Sequence, residues 1–264
     1  MKSEFLKVAG MKTHFFRAGS GEKIVILHGW DPTINLEKSY GALVAELEKN
    51  FEVFVVGMPG FGGSDFPEKT GWTTEKYAEW LENFLEKMGE KNAPVALYGH
   101  SFGCRVIVRF LRRNPKFAGK IILTGAAGIK WNPERGRQKL LFAVNQKFPG
   151  FKKMFRKFCP QKLRPLIVGK LLGAHDWAIV PDALEQTLKK TLAEPDFRNE
   201  LPKISQKILL IWGENDTITP TKSAHVFAKK LPHAELVILP EARHGLHRTH
   251  FEKIVPLVRK FLGK

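Results

Sequence analysis

The sequence predicts an α/β fold: a mostly parallel, eight-stranded sheet with helices on both faces and an inserted helical segment. Three observations predict it. Short apolar runs alternate with stretches of helical periodicity from Lys23 to Thr124, and again from Lys207 to Leu262. The runs are continuous rather than alternating apolar and polar, as in strands buried on both faces. Between Ala126 and about Ile204 no β-rich run occurs, so an insertion interrupts the pattern.

The elements follow in order. Phe5–Val8 and Thr13–Phe16 are short, β-prone and flank Gly10, which suggests an antiparallel hairpin. Lys23–Leu27 is the first fully buried strand. A helix fits Leu36–Lys49 and a strand Phe51–Val56. The next helix fits Thr74–Met88, with the pair Thr73-Thr74 able to cap its start. Then come a strand at Pro94–Tyr98, a helix at Phe102–Arg113 that ends at Asn114-Pro115, and a strand at Lys120–Thr124. After the insertion a strand fits Lys207–Trp212, a helix Thr221–Leu231, a strand Glu235–Leu239 and a last helix Arg248–Leu262. Strand, helix and strand in repetition imply right-handed crossovers and a doubly wound sheet. Residues 1–125 and 205–264 therefore form one α/β domain, and 126–204 a helical cap between its sixth and seventh strands.

The 264 residues suffice for this domain with its insertion, or at most for two small domains. Hydrophobic content of 43% with 26% charged residues is that of a soluble globular chain. The first thirty residues lack a signal-peptide pattern, and no apolar run approaches the ~20 residues needed to span a bilayer. The two cysteines, Cys104 and Cys159, have no metal-ligand spacing and are expected in separate surroundings, unbridged. A reduced, cytoplasmic protein is expected.

The net charge of +17 is concentrated. From Lys130 to Lys170 there are twelve Lys or Arg and one acid, Glu134. Within that stretch Phe151, Met154, Phe155 and Phe158 repeat at helical spacing, with Lys152, Lys153, Arg156 and Lys157 between them. This is a basic amphipathic helix. It is expected to turn its aromatic stripe inward, with Phe151 and Phe155 lining a substrate pocket and the lysines in water. Contact of the basic face with anionic surfaces is expected to be weak at most. No nucleic-acid motif accompanies the charge, and nucleic acid is not expected as a partner.

The residues that carry chemistry lie at strand ends. Gly99-His100-Ser101-Phe102-Gly103 follows an apolar strand and opens a helix, the setting of a nucleophile elbow. Ser101 is then expected to be exposed at the carboxyl end of the sheet. A serine hydroxyl is a poor nucleophile near neutral pH and needs a base and an orienting acid. Trp212-Gly213-Glu214-Asn215-Asp216 follows the seventh strand. Both acids qualify chemically, and Asp216 lies further into the loop, from where it can reach a histidine. The loop after the sixth strand offers no carboxylate before Glu134. Glu241-Ala-Arg-His244-Gly245 follows the last strand, and Gly245 allows the tight turn that would aim His244 inward. His247 and His250 are expected on the surface or behind the base, and His28 in a structural role. Ser101, Asp216 and His244 are the candidate triad.

These residues, together with His28-Gly29-Trp30, Pro59-Gly60-Phe61-Gly62-Gly63-Ser64-Asp65 and Pro220, resemble the α/β-hydrolase superfamily over nearly the full chain, in its cap-bearing branch of esterase-like serine hydrolases. The resemblance implies that the amides of Trp30 and Phe102 bind the oxyanion, worth roughly 3–4 kcal/mol per donor. It implies hydrolysis of a small-molecule acyl substrate (ester, thioester or lactone) through an acyl-enzyme on Ser101, without metal or organic cofactor. A carboxylesterase is the leading expectation. Carbon–carbon bond hydrolysis and acyl transfer to another acceptor use the same groups. A serine at 101 disfavours the dehalogenases and epoxide hydrolases that attack with aspartate. A ligand-binding scaffold is disfavoured because all three triad positions are filled. The chain departs from the pattern at Gly57, where relatives often carry an acid, and at Asp31-Pro32, where many carry glycines.

Overall fold

A computed structural model describes residues 1–67, 70–89, 95–131, 154, 158, 159 and 182–264. Its eight strands are β1 (Lys2–Val8), β2 (Met11–Ala18), β3 (Lys23–Leu27), β4 (Glu52–Val56), β5 (Ala96–His100), β6 (Ile121–Thr124), β7 (Ile208–Gly213) and β8 (Ala234–Leu239). They form one sheet in the order β1-β2-β4-β3-β5-β6-β7-β8. The β1–β2 and β2–β4 pairs are antiparallel and all others are parallel. The opening hairpin turns on Ala9 and Gly10, both at positive φ, the twist a two-residue hairpin requires.

The helices are α1 (Leu36–Leu47), α2 (Thr74–Lys87), α3 (Phe102–Arg113), α4 (Asp182–Ala193), α5 (Thr221–Lys230), α6 (Leu246–Thr249) and α7 (Phe251–Leu262). Successive strand residues feed opposite layers. Val25, Leu27, Leu97 and Leu123 join the core under α2, α3 and α5, with Leu81, Phe84, Ile107 and Phe227. Ile24, Ile26, Tyr98 and Ile122 join the core under α1 and α7, with Leu43, Val44, Ile254 and Val258. Burial on both faces is why these strands read as unbroken apolar runs. Among the described residues no helix is long and apolar enough to cross a membrane.

Two expectations change. The last helix is broken: His250, at φ −136° and ψ 25°, separates α6 from α7. The break lets Leu246 and His247 turn inward beneath α1, and His247 stacks on Tyr40 at 4.5 Å between ring centroids. At the start of α2, Thr73 accepts from Lys76 N–H as a cap, but Thr74 turns away to Glu194.

The expected cap, 126–204, falls largely outside the described residues, as do Phe151 and Phe155 and most of the basic stretch. Its described end is tied to the helix after Ser101. Glu194 accepts from Arg105 (3.0 Å), from Thr74 N–H (2.6 Å) and from the Thr74 hydroxyl. Arg109 pairs with Glu200 at 2.5 Å, and both guanidinium groups lie over the Phe197 ring, 4.7–5.2 Å from its centre. Charges this deeply buried hold only because each is paired and hydrogen-bonded.

Candidate active site

The carboxyl ends of β3, β5 and β8 lead into one cavity of about 350 Å³. It opens where the crossovers leave β3 and β5 in opposite directions, the usual ligand position in a doubly wound sheet.

Ser101 sits in the turn between β5 and α3 at φ 49°, a left-handed conformation costly for a side-chain-bearing residue. The turn is tight enough to explain its glycines. A Cβ on Gly103 would run into the Leu27 carbonyl, and one on Gly99 would stand 2.8 Å from Ile107 Cδ1 and 3.0 Å from Cys104 Cα. Ser101 lines the cavity but is only 9% exposed. It lies on a floor rather than on an open surface, because the loop from Gly29 to Ile34 and the His244 loop rise around it.

Asp216 and His244 arrive on laced loops. Glu214 N–H donates to Leu239 O and Asn215 N–H to Ala242 O, which clamps the turn after β7 to the turn after β8. Asp216 is completely buried. Its Oδ1 accepts from the amides of Ile218 (2.9 Å) and Thr219 (2.8 Å). Its Oδ2 accepts from the Thr219 hydroxyl (2.8 Å) and from His244 Nδ1–H (2.8 Å). With Nδ1 carrying the proton, His244 Nε2 is free to accept one, the tautomer a base for a serine needs. His244 lines the cavity with Ser101. Glu214, the rival acid, instead accepts from Glu241 N–H at the surface.

The oxyanion candidates frame the same floor. Trp30 follows Gly29 at the cavity wall, and its ring meets Phe102 edge to face at 5.2 Å. Among the described residues neither the Trp30 nor the Phe102 amide is taken by another acceptor. His28, fully buried, holds this turn. Its Nε2 accepts from Met58 N–H at 3.2 Å, so Nδ1 carries the proton and donates to Gly29 O at 2.6 Å. Burial pushes its pKa down to about 4, and it stays neutral. Gly57 has no room for the acid that the resemblance would place there: a Cβ would stand 2.9 Å from Phe61 O.

Three contributors, Thr219, His100 and Thr124, were not read from the sequence. Thr219 holds the Asp216 carboxylate, and its signal was an Asp followed three residues later by a hydroxyl. His100 lines the cavity at 4.8 Å from the His244 ring. Thr124 Oγ1 donates to Gly99 O and accepts from His100 Nδ1–H, which leaves the His100 Nε2 lone pair unprotonated. Burial, reinforced by His247 and His244, holds its pKa well below the usual range. His247 is 6% exposed, and burial lowers its pKa to about 3. It stands behind the base rather than on the surface. Among the described residues no cluster of His, Cys, Asp and Glu could hold a metal.

The model of the alpha/beta hydrolase fold family matches residues 23–251. A 2-hydroxy-6-oxononadienedioate/2-hydroxy-6-oxononatrienedioate hydrolase of Burkholderia vietnamiensis is 27% identical, over 96% of this chain and 92% of its own length. A 2-hydroxymuconate semialdehyde hydrolase of a Pseudomonas sp. is 21% identical, over 97% of this chain and 92% of its own. Among solved structures, an esterase from Exiguobacterium antarcticum superposes with a TM-score of 0.73 at 24% identity, covering all of both chains. That likeness speaks for the fold.

Proposed function

Because this chain belongs to the alpha/beta hydrolase fold family, we propose that it is a serine hydrolase that cleaves a carbon–carbon bond beside a ketone carbonyl. The observation that carries the serine-hydrolase reading is the 2.8 Å bond between His244 Nδ1 and Asp216 Oδ2, in a cavity floored by Ser101. The carbon–carbon reading is supported by the curated relatives, similar over more than nine-tenths of their length, whose names describe oxo-dienedioate and muconate semialdehyde substrates.

In this proposal Ser101 Oγ attacks the ketone carbon and gives its proton to His244 Nε2. Asp216 stabilises the resulting imidazolium. The carbonyl pair moves to oxygen, where the Trp30 and Phe102 amides receive it. When the carbonyl re-forms, the carbon–carbon bond breaks. Its electron pair passes into the conjugated fragment, which takes the proton from His244 and departs. Water then attacks the acyl-enzyme, gives a proton to His244 and releases a carboxylic acid and Ser101. The sum is ketone plus water giving acid plus the protonated fragment.

Ester cleavage, which the sequence ranks first, uses the same groups and differs only in the leaving atom. The test offers purified protein a 2-hydroxy-6-oxo-dienoate and a p-nitrophenyl ester series. The expected result is faster turnover of the dienoate, with both activities and fluorophosphonate labelling lost in Ser101→Ala. Faster turnover of esters would restore the esterase reading. Equal labelling of wild type and Ser101→Ala would remove Ser101 as nucleophile.

A further inference from the structure

We propose that Arg248 anchors a carboxylate of the substrate at one end of the Ser101 cavity. Arg248 stands on α6, four residues after His244, and lines the cavity with Ser101, His244, His247 and Tyr40. Its guanidinium lies against the backbone of Gly245: a Cβ there would be 3.2 Å from Nη2 and 3.6 Å from Nε. The charge therefore sits one residue from the base and faces the space where substrate must bind.

Most described arginines are matched by a carboxylate. Arg17 meets Glu52, Arg105 meets Glu194, Arg109 and Arg112 meet Glu200, Arg198 meets Asp196 and Arg259 meets Glu46. Among the described residues Arg248 has no such partner, although it borders a cavity. The same wall carries Tyr40, His100 and His247. Burial keeps His100 and His247 uncharged, and the nearby Arg248 charge adds to the effect. His247 Nδ1 and the Tyr40 hydroxyl are buried without a partner among the described residues. The lining holds one acid, Asp31, whose Oδ1 is occupied by Thr33 N–H and Oγ1–H at 2.9 and 2.8 Å. A guanidinium fork with no internal carboxylate, beside neutral hydrogen-bonding groups, fits a carboxylate in bidentate contact.

The inference rests on the reading that this cavity receives the substrate, and names the residue that selects among substrates. Mono-p-nitrophenyl glutarate, which carries a free carboxylate, is compared with the neutral p-nitrophenyl pentanoate in wild type, Arg248→Gln and Arg248→Lys. The ratio of kcat/KM for the charged over the neutral ester should fall about tenfold in Arg248→Gln, the scale of a lost charged hydrogen bond, and recover in part in Arg248→Lys. An unchanged ratio would overturn the anchor, as would equal loss for both esters in both variants. If wild type hydrolyses neither ester, ester cleavage fails separately, and the dienoate assay still decides the hydrolase reading. Calorimetric titration with glutarate then decides the anchor: binding by wild type weakened about tenfold in Arg248→Gln supports it, and equal or absent binding in both overturns it.

Discussion

Thr219 and His244 meet at a single oxygen: the Thr219 hydroxyl and His244 Nδ1 both lie 2.8 Å from Asp216 Oδ2. The carboxylate is thus fixed from two sides, by a group that stays neutral and by the ring it must orient. Thr219→Val keeps the branched shape and removes the hydroxyl. Steady-state kinetics should show kcat/KM lowered about tenfold, the scale of one hydrogen bond to a charged acceptor, with little change in thermal stability.

Gly125 approaches the same bond from below. Its φ is +51°, and a Cβ there would stand 3.2 Å from His244 Nδ1 and 3.3 Å from Asp216 Oδ2. Gly125→Ala should displace the pair by a few tenths of an ångström. We expect kcat to fall about tenfold or more, while a melting curve shifts by only a few degrees.

The buried ions between α3 and α4 predict a larger effect on stability. Glu194→Ala would leave Arg105, 10% exposed at its side chain, without its carboxylate. Breaking such a pair costs about 3–5 kcal/mol, which for a chain of this size lowers Tm by about 10 °C. Differential scanning calorimetry of the variant checks this.

Stability should fall in mild acid. Burial holds His28 at a pKa of about 4 and His247 at about 3, against 6.5 in the unfolded chain. Above pH 6.5 both states leave these rings neutral and stability is complete. As pH falls from 6.5 toward 4, the unfolded chain binds protons that the folded chain refuses, so the folded state loses ground. At pH 4.5 each ring should account for a loss on the order of 2 kcal/mol. His247→Phe keeps the stacking on Tyr40 and should flatten the decline of Tm between pH 7.5 and 4.5.

The site was legible where chemistry is local. The turn at Ser101 forces Gly99 and Gly103 to fixed positions, because backbone and side chains from β3 and α3 approach where their side chains would lie. Asp216 and His244 could be named because each follows a strand whose carboxyl end must face the same rim. The central strands β3 to β7 were legible for a similar reason, since burial on two faces leaves a largely apolar run. Contacts formed only when distant segments meet were not. Arg105 and Glu194 are 89 residues apart, and neither announces its partner. The sequence left His247 between the surface and a place behind the base, because its burial depends on a helix break at His250 that its neighbours do not signal. The ranking of ester over carbon–carbon substrates also lay beyond it, since both reactions use one set of catalytic groups.

The tie at Glu194 and Glu200 has a consequence for anyone exchanging parts between such proteins. A splice made just after Ala193, where α4 ends, would import a foreign helix against Arg105 and Trp72 while keeping Glu194 and Glu200 native. The ionic joint would stay whole, but Arg105 and the Trp72 amide, which now bond to Thr191 O and the Thr187 hydroxyl, would meet foreign residues. A chimera joined upstream of Asp182 carries α4, Glu194 and Glu200 with the host, so the graft ends on an intact foundation.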